Sequence, residues 1–133
     1  MKGKILNFSY LTTTGFLSNS FSDFWKKRAA QYLTAHPASM HCLNQLIEFA
    51  MDADGLITDC TYTDKEYESK IGWGHSSISQ VVDLAHRAGV KTLHLFHHDL
   101  SQTDTDIDAK LETAQAMLKE KGSSTICIAP KER

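Results

Sequence analysis

Histidines and acids near three changes of chain direction are the residues best equipped for chemistry. The stretch "IGWGHSSIS" (71–79) places His75 between a glycine and two serines. "GLITDC" (55–60) brings Asp59 to the end of an apolar run, and "VKTLHLFHHD" (90–99) finishes on His97, His98 and Asp99. Imidazole and carboxylate are the side chains that ligate divalent metals and move protons near neutral pH. If the two apolar runs are parallel neighbouring strands, Asp59 and His97 share the carboxyl edge of one sheet, where open α/β folds bind their ligands. A glycine-flanked loop entering a helix can turn His75 toward the same edge. An acid, an isolated histidine and a His-His-Asp cluster would then make a metal or acid–base site. Each residue also has a plainer reading: His75 as a solvated or capping residue, the histidine pair as surface, Asp59 as a turn cap. The pattern alone leaves both open. His86 and His94 fall inside a helix and a strand and read as structural. His36 and His41 are five apart around Pro37, which is not the spacing of two ligands on one helix face.

The elements that must position these residues are legible from residue 41 onward. "HCLNQLIEFAMDA" repeats apolar residues at three and four, which predicts an amphipathic helix. Gly55 opens a short strand, and Thr63 or Asp64 starts a helical turn that the "GWG" segment breaks. Ser76 or Ser77 caps a helix carrying Ile78, Val81, Val82 and Ala85 and stopping at Gly89. "VKTLHLF" is a strand, and "SQTD" caps a helix with Ile107, Leu111, Ala114 and Leu118 that ends near Gly122. "STICIA" is a last strand closed by Pro130. Helices alternating with short apolar strands predict an α/β layered fold with crossover connections. In residues 1–40, "KILNFSYL" reads as a strand and "SFSDFWKKRAAQYLTA" as a helix; the change near His36-Pro37 is the one candidate boundary, separating segment 1–40 from a half-domain over 41–133.

With 133 residues the chain is long enough for a single core. Apolar residues at 41% and charged residues at 23% describe a globular protein and argue against disorder. A net charge of −2, with basic residues scattered, leaves no clear nucleic-acid footprint. Three widely spaced cysteines, Cys42, Cys60 and Cys127, exclude a fully paired disulfide framework and fit a reducing cytoplasm. No apolar run approaches the roughly 20 residues of a membrane span, so no membrane partner and a cytoplasmic location are expected.

The run from Asp52 to Pro130, and within it "GWGHS" and "LFHHD", resembles the C-terminal part of metallo-β-lactamase-fold hydrolases, in the branch of phosphodiesterases and tRNA-processing endonucleases. The resemblance implies half of a four-layer αββα sandwich. It implies His97 as the last imidazole ligand of a two-ion zinc or manganese site, with Asp59 and His75 as the catalytic acid–histidine pair. His98 and Asp99 would support that ligand or face substrate, and Trp73 and Tyr62 would wall the site or pack in the core. The chain departs from the family in having no H-x-H-x-D-H segment, and "QYLTAHPASMH" has no carboxylate where a bridging Asp is expected. The expectation is a truncated phosphodiesterase-type hydrolase with little or no catalysis alone, either a remnant or one part of an assembly that supplies the missing N-terminal half. The alternative is a non-catalytic interaction module that completes its sheet by self-association as a homo-oligomer or with a partner. A metal-free enzyme using Asp59 and His75 ranks last, because no nucleophile motif accompanies it.

Overall fold

A computed structural model describes residues 5–7 and 40–131. The predicted helix over residues 20–35 and the Phe21, Phe24 and Trp25 run lie outside the described residues, as does His36.

The order is β1 (Ile5–Asn7), α1 (Met40–Ala50), β2 (Gly55–Asp59), α2 (Asp64–Tyr67), α3 (Ile78–Ala88), β3 (Thr92–Phe96), α4 (Asp104–Glu120) and β4 (Ile126–Ile128). The strands form one parallel sheet in the order β1-β2-β3-β4. Parallel neighbours require crossovers, and the helices predicted between the apolar runs supply them: α2 and α3 between β2 and β3, α4 between β3 and β4. The first segment also contributes, since β1 pairs with β2 from Ile5 opposite Gly55.

Register sorts the side chains into two faces. Leu56, Leu93 and Cys127 lie in one row, and Thr58 and Leu95 in the next. All five are buried, and they face the core formed with Ile47, Ala50, Val81, Val82, Ala85, Ala114 and Leu118 of the helices. The alternate rows carry Ile57, His94 and Ile128, then Asp59 and Phe96. There Phe96, Ile126 and Ile128 are exposed. Among the described residues, one face of the sheet is therefore fully used by this packing and the other is not.

Caps set the helix limits. Thr63 and Thr103 accept from the backbone N–H groups of Glu66 and Asp106, whose carboxylates accept from the threonine N–H groups in return. Gln80 accepts from the Ser77 N–H at the start of α3. Gly89 closes α3 at φ +64°, and its N–H reaches the carbonyl of His86. A β-carbon there would stand 3.4 Å from Asp52 Oδ1, an ordinary contact, so it is the left-handed backbone that favours glycine. Among the described residues no helix is long and apolar enough to cross a membrane.

Candidate metal and acid–base site

The carboxyl ends of β2 and β3 come together by strand pairing. Asp59 is opposite Phe96, and the Cys60 N–H continues the ladder to the Phe96 carbonyl at 2.9 Å. One residue later the chain turns: His97 takes φ +55°, a left-handed conformation uncommon for a residue with a β-carbon. The cost is about 1 kcal/mol. This turn directs the imidazole across the strand end toward Asp59.

His75 arrives by a different route. Gly72 and Gly74 both have positive φ, at +86° and +84°, and bracket Trp73 in the loop before α3. The chain then runs beside residues 60–62: Tyr62 and Ser77 form a parallel bridge, and the Tyr62 N–H donates to the Ser76 carbonyl at 3.2 Å. The Ser76 N–H donates to Asp59 Oδ1 at 2.8 Å. These bonds set His75 over the acid.

Asp59 is the hub. It is fully buried, whereas the His75 and His97 side chains are 20% and 39% exposed. Oδ2 accepts from His75 Nδ1 at 3.0 Å and from the Thr61 hydroxyl at 2.9 Å, and lies 2.9 Å from His97 Nδ1. Thr61 Oγ1 is also 3.0 Å from His97 Nδ1 and 2.8 Å from the His97 carbonyl. A lone pair on His75 Nδ1 would face a carboxylate oxygen and be repelled, and the Thr61 hydroxyl, donating to Asp59 Oδ2, is left to accept from His97 Nδ1, so both Nδ1 atoms carry the proton in neutral rings. Each Nε2 is then left with its lone pair. The two rings are stacked, with centroids 5.1 Å apart and planes 16° apart, while Tyr62 meets His75 edge-on at 5.8 Å.

Asp59, His75 and His97 each offer a ligand atom, all within 4.8 Å of one another, and form the candidate cation-binding group among the described residues. The donor chemistry suits zinc or manganese in part. A carboxylate orienting the far side of an imidazole is how metal-binding histidines are held. Asp59 already receives donors on both oxygens, which suits it to orienting rather than ligating. The imidazole Nε2 atoms are then the available donors, and a catalytic zinc typically takes about three protein ligands.

The other candidates fall outside this cluster. His98, next along the chain, points away and packs against Lys110, with Nδ1 3.1 Å from the ammonium and a buried Nε2 that has no hydrogen-bond partner among the described residues. Burial, reinforced by the Lys110 charge, pushes its imidazole down to about 4. Asp99 is spent on a turn, accepting from the Ser101 N–H and hydroxyl at 2.9 and 2.6 Å. Those bonds hold its carboxyl below the ordinary carboxylate range. Trp73 is 63% exposed with the Lys70 ammonium 4.0 Å from its ring centre, so it does not pack in the core; Tyr62 is buried and touches the site.

Sequence reasoning missed Thr61 and Lys110. Thr61 stands two residues after a strand-end acid, a spacing typical of side-chain-to-backbone turns. Lys110 lies three after Ile107 and four before Ala114, on the apolar stripe of α4.

With this geometry established, the known proteins can be set beside it. No family model matches the chain. Ribonuclease Z of Thermoplasma acidophilum is 40% identical over 74 residues, covering 53% of this chain and 24% of that protein. Ribonuclease Z of Thermoplasma volcanium is 36% identical over 83 residues, or 62% of this chain and 26% of that one. Over that stretch the chain is similar to ribonuclease Z. This relation supports the resemblance to metallo-β-lactamase-fold, metal-dependent hydrolases and nucleases. The chain spans about a quarter of the length of these relatives. A solved structure, the metallo-β-lactamase fold protein YhfI from Bacillus subtilis, is similar at a TM-score of 0.49 and 20% identity, covering 66% of this chain and 32% of that one.

Proposed function

We propose that this chain supplies one side of a phosphodiester-hydrolysing site, with RNA as the substrate class suggested by its relatives, and that it turns over little by itself. The observation carrying this reading is the pair of stacked imidazoles on a buried carboxylate. His97 would hold a zinc or manganese ion through Nε2, and such an ion supplies charge stabilisation and an activated water when bound. His75, when protonated at Nε2 as well, would be an imidazolium held by Asp59 and could hand that proton to a leaving oxygen. Asp59 fixes both rings and their tautomers, which spares them reorientation during reaction. Little turnover follows from ligand number: the sequence has no H-x-H-x-D-H segment, and one or two imidazoles bind a divalent ion weakly. Free, buried Cys60 and Cys127 suit a reducing cytoplasm.

The test combines metal titration with turnover of bis-(p-nitrophenyl) phosphate. Substoichiometric Mn²⁺ is expected to broaden the His97 and His75 ring signals selectively, an effect lost in His97→Ala, with hydrolysis near background. Unselective broadening would end the metal reading. Two ions retained through dialysis, with turnover abolished by His97→Ala, would overturn the inactivity.

One observation favours a second reading, a module that self-associates through its sheet. Phe96, Ile126 and Ile128 are exposed together on the face away from the helices. A second copy of the chain is the proposed occupant, and concentration-dependent sedimentation without metal tests it. A monomer at every concentration would remove it.

A further inference from the structure

Lys110 heads the largest fully buried side chains, at 1% exposure, yet among the described residues no carboxylate hydrogen-bonds to it. Its ammonium instead meets the carbonyls of Cys60 and Thr61, the latter at 3.0 Å, together with Gln102 Oε1 at 2.9 Å and His98 Nδ1 at 3.1 Å. An ammonium has three donors and no acceptor, so four acceptors already exceed its capacity. Burial pushes it below the ordinary lysine range. Placing an ion among neutral acceptors costs desolvation that an apolar residue on this stripe would avoid. The arrangement must therefore be explained by what those four acceptors do.

They belong to the two strand ends that form the site. Successive carbonyls of an extended strand point to opposite sides. Those of Cys60 and Thr61 converge on one nitrogen, so the chain bends as it leaves β2. The bend returns the Thr61 side chain to Asp59 Oδ2 and to both Nδ1 and O of His97. From β3, His98 goes to the ammonium while His97, left-handed, goes to the acid. Gln102 closes the ring, its amide donating to the Thr61 carbonyl at 3.1 Å.

We propose that Lys110 is a positioning residue for the candidate site: its ammonium clamps the turn after β2 to the turn after β3, setting Thr61 and His97 against Asp59. This rests on reading the Asp59–His75–His97 cluster as a functional site. The clamp acts from helix α4, so the site depends on an element that supplies it no ligand.

The test compares Lys110→Met with Leu118→Ala, a core variant on the same helix away from the strand-end turns. The first readout needs neither metal nor turnover: the hydrogen-bonded imidazole N–H protons of His75 and His97, seen downfield by NMR and timed for exchange with water. The second is Mn²⁺ affinity, read from broadening of the same rings. Lys110→Met is expected to speed exchange at His97 and to weaken Mn²⁺ binding by about tenfold or more, the range for groups that orient metal ligands. Leu118→Ala, though less stable, is expected to leave both near wild type, and Lys110→Arg to recover part of the loss. Equal changes in Lys110→Met and Leu118→Ala, or none in Lys110→Met, would overturn the proposal. If Lys110→Met does not fold, Lys110→Gln, with its neutral N–H donors, is read the same way. Failure of both to fold beside a folded Leu118→Ala would assign Lys110 to stability alone. If wild type binds no Mn²⁺, the metal reading fails, while the exchange readout still decides on the clamp.

Discussion

Asp59 is the side chain whose loss reaches furthest, because the N–H groups of Ser76 and Thr61 and the ring of His75 all end on it. Asp59→Ala leaves buried donors unmet, at about 1–3 kcal/mol each, so a loss of about 3 kcal/mol is expected in urea unfolding. Asp59→Asn keeps one acceptor oxygen and is expected to lose clearly less; equal losses would mean that the hub is not held by these bonds. His98 gives stability a pH dependence. Its imidazole is pushed down to about 4 in the folded chain, chiefly by burial, from an ordinary value of 6.5. Between those values the unfolded chain binds a proton that the folded chain refuses, so stability is full above 6.5 and falls as pH drops toward 4. His98→Asn is expected to flatten that slope, measured as the difference between urea midpoints at about pH 7.5 and about pH 5. An unchanged slope would count against the buried, neutral ring. Asp59, His75 and His97 were nameable from sequence because strand ends and a glycine-flanked helix start are places where chemistry gathers. Thr61 and Lys110 were not, since their roles depend on bends and on side-chain direction.

At the scale of elements, the helices were the most legible part. Ile78, Val81, Val82 and Ala85 of α3 are all buried, as spacings of three and four require. The "TDKEY" turn and the stretch before residue 104 became capping boxes at Thr63 and Thr103. Strands were less sharp: "VKTLHLF" holds β3 only over Thr92–Phe96, because Val90 and Lys91 belong to the link after Gly89. Hydrophobicity marks burial there, not pairing. Counting only apolar residues on α4 hid Lys110, whose four-carbon stem lies along the core as a hydrophobic residue would. Thr103→Ala removes the acceptor for the Asp106 N–H and is expected to cost about 1 kcal/mol, with the chemical-shift changes confined to the first turn of α4. A loss spread along the helix would show that the box does more than cap.

At the largest scale, the described helices pack on one face of the parallel sheet and seal the interior there, while Phe96, Ile126 and Ile128 are exposed on the other face. Burial pushes the Cys60 and Cys127 thiols up to about 12. In a Cys42→Ser background neither is expected to react with a thiol reagent near neutral pH until the chain unfolds; rapid labelling would contradict the packing of the helices on β2 and β4. On the other face, Ile126→Lys is expected to shift sedimentation toward monomer if two copies meet there. Sequence could not reveal this asymmetry, since "STICIA" reads as uniformly apolar and register alone decides that Cys127 faces inward while Ile126 and Ile128 face out.

The sharing of one buried carboxylate by two imidazoles is the point on which the site depends. Long-range ¹⁵N–¹H correlation of the histidine rings, at a pH where they are neutral, tests it most directly. Both His75 and His97 are expected to carry the proton on Nδ1 and leave Nε2 bare, with both patterns disturbed by Asp59→Ala. Rings protonated on Nε2, or indifferent to Asp59→Ala, would contradict the account.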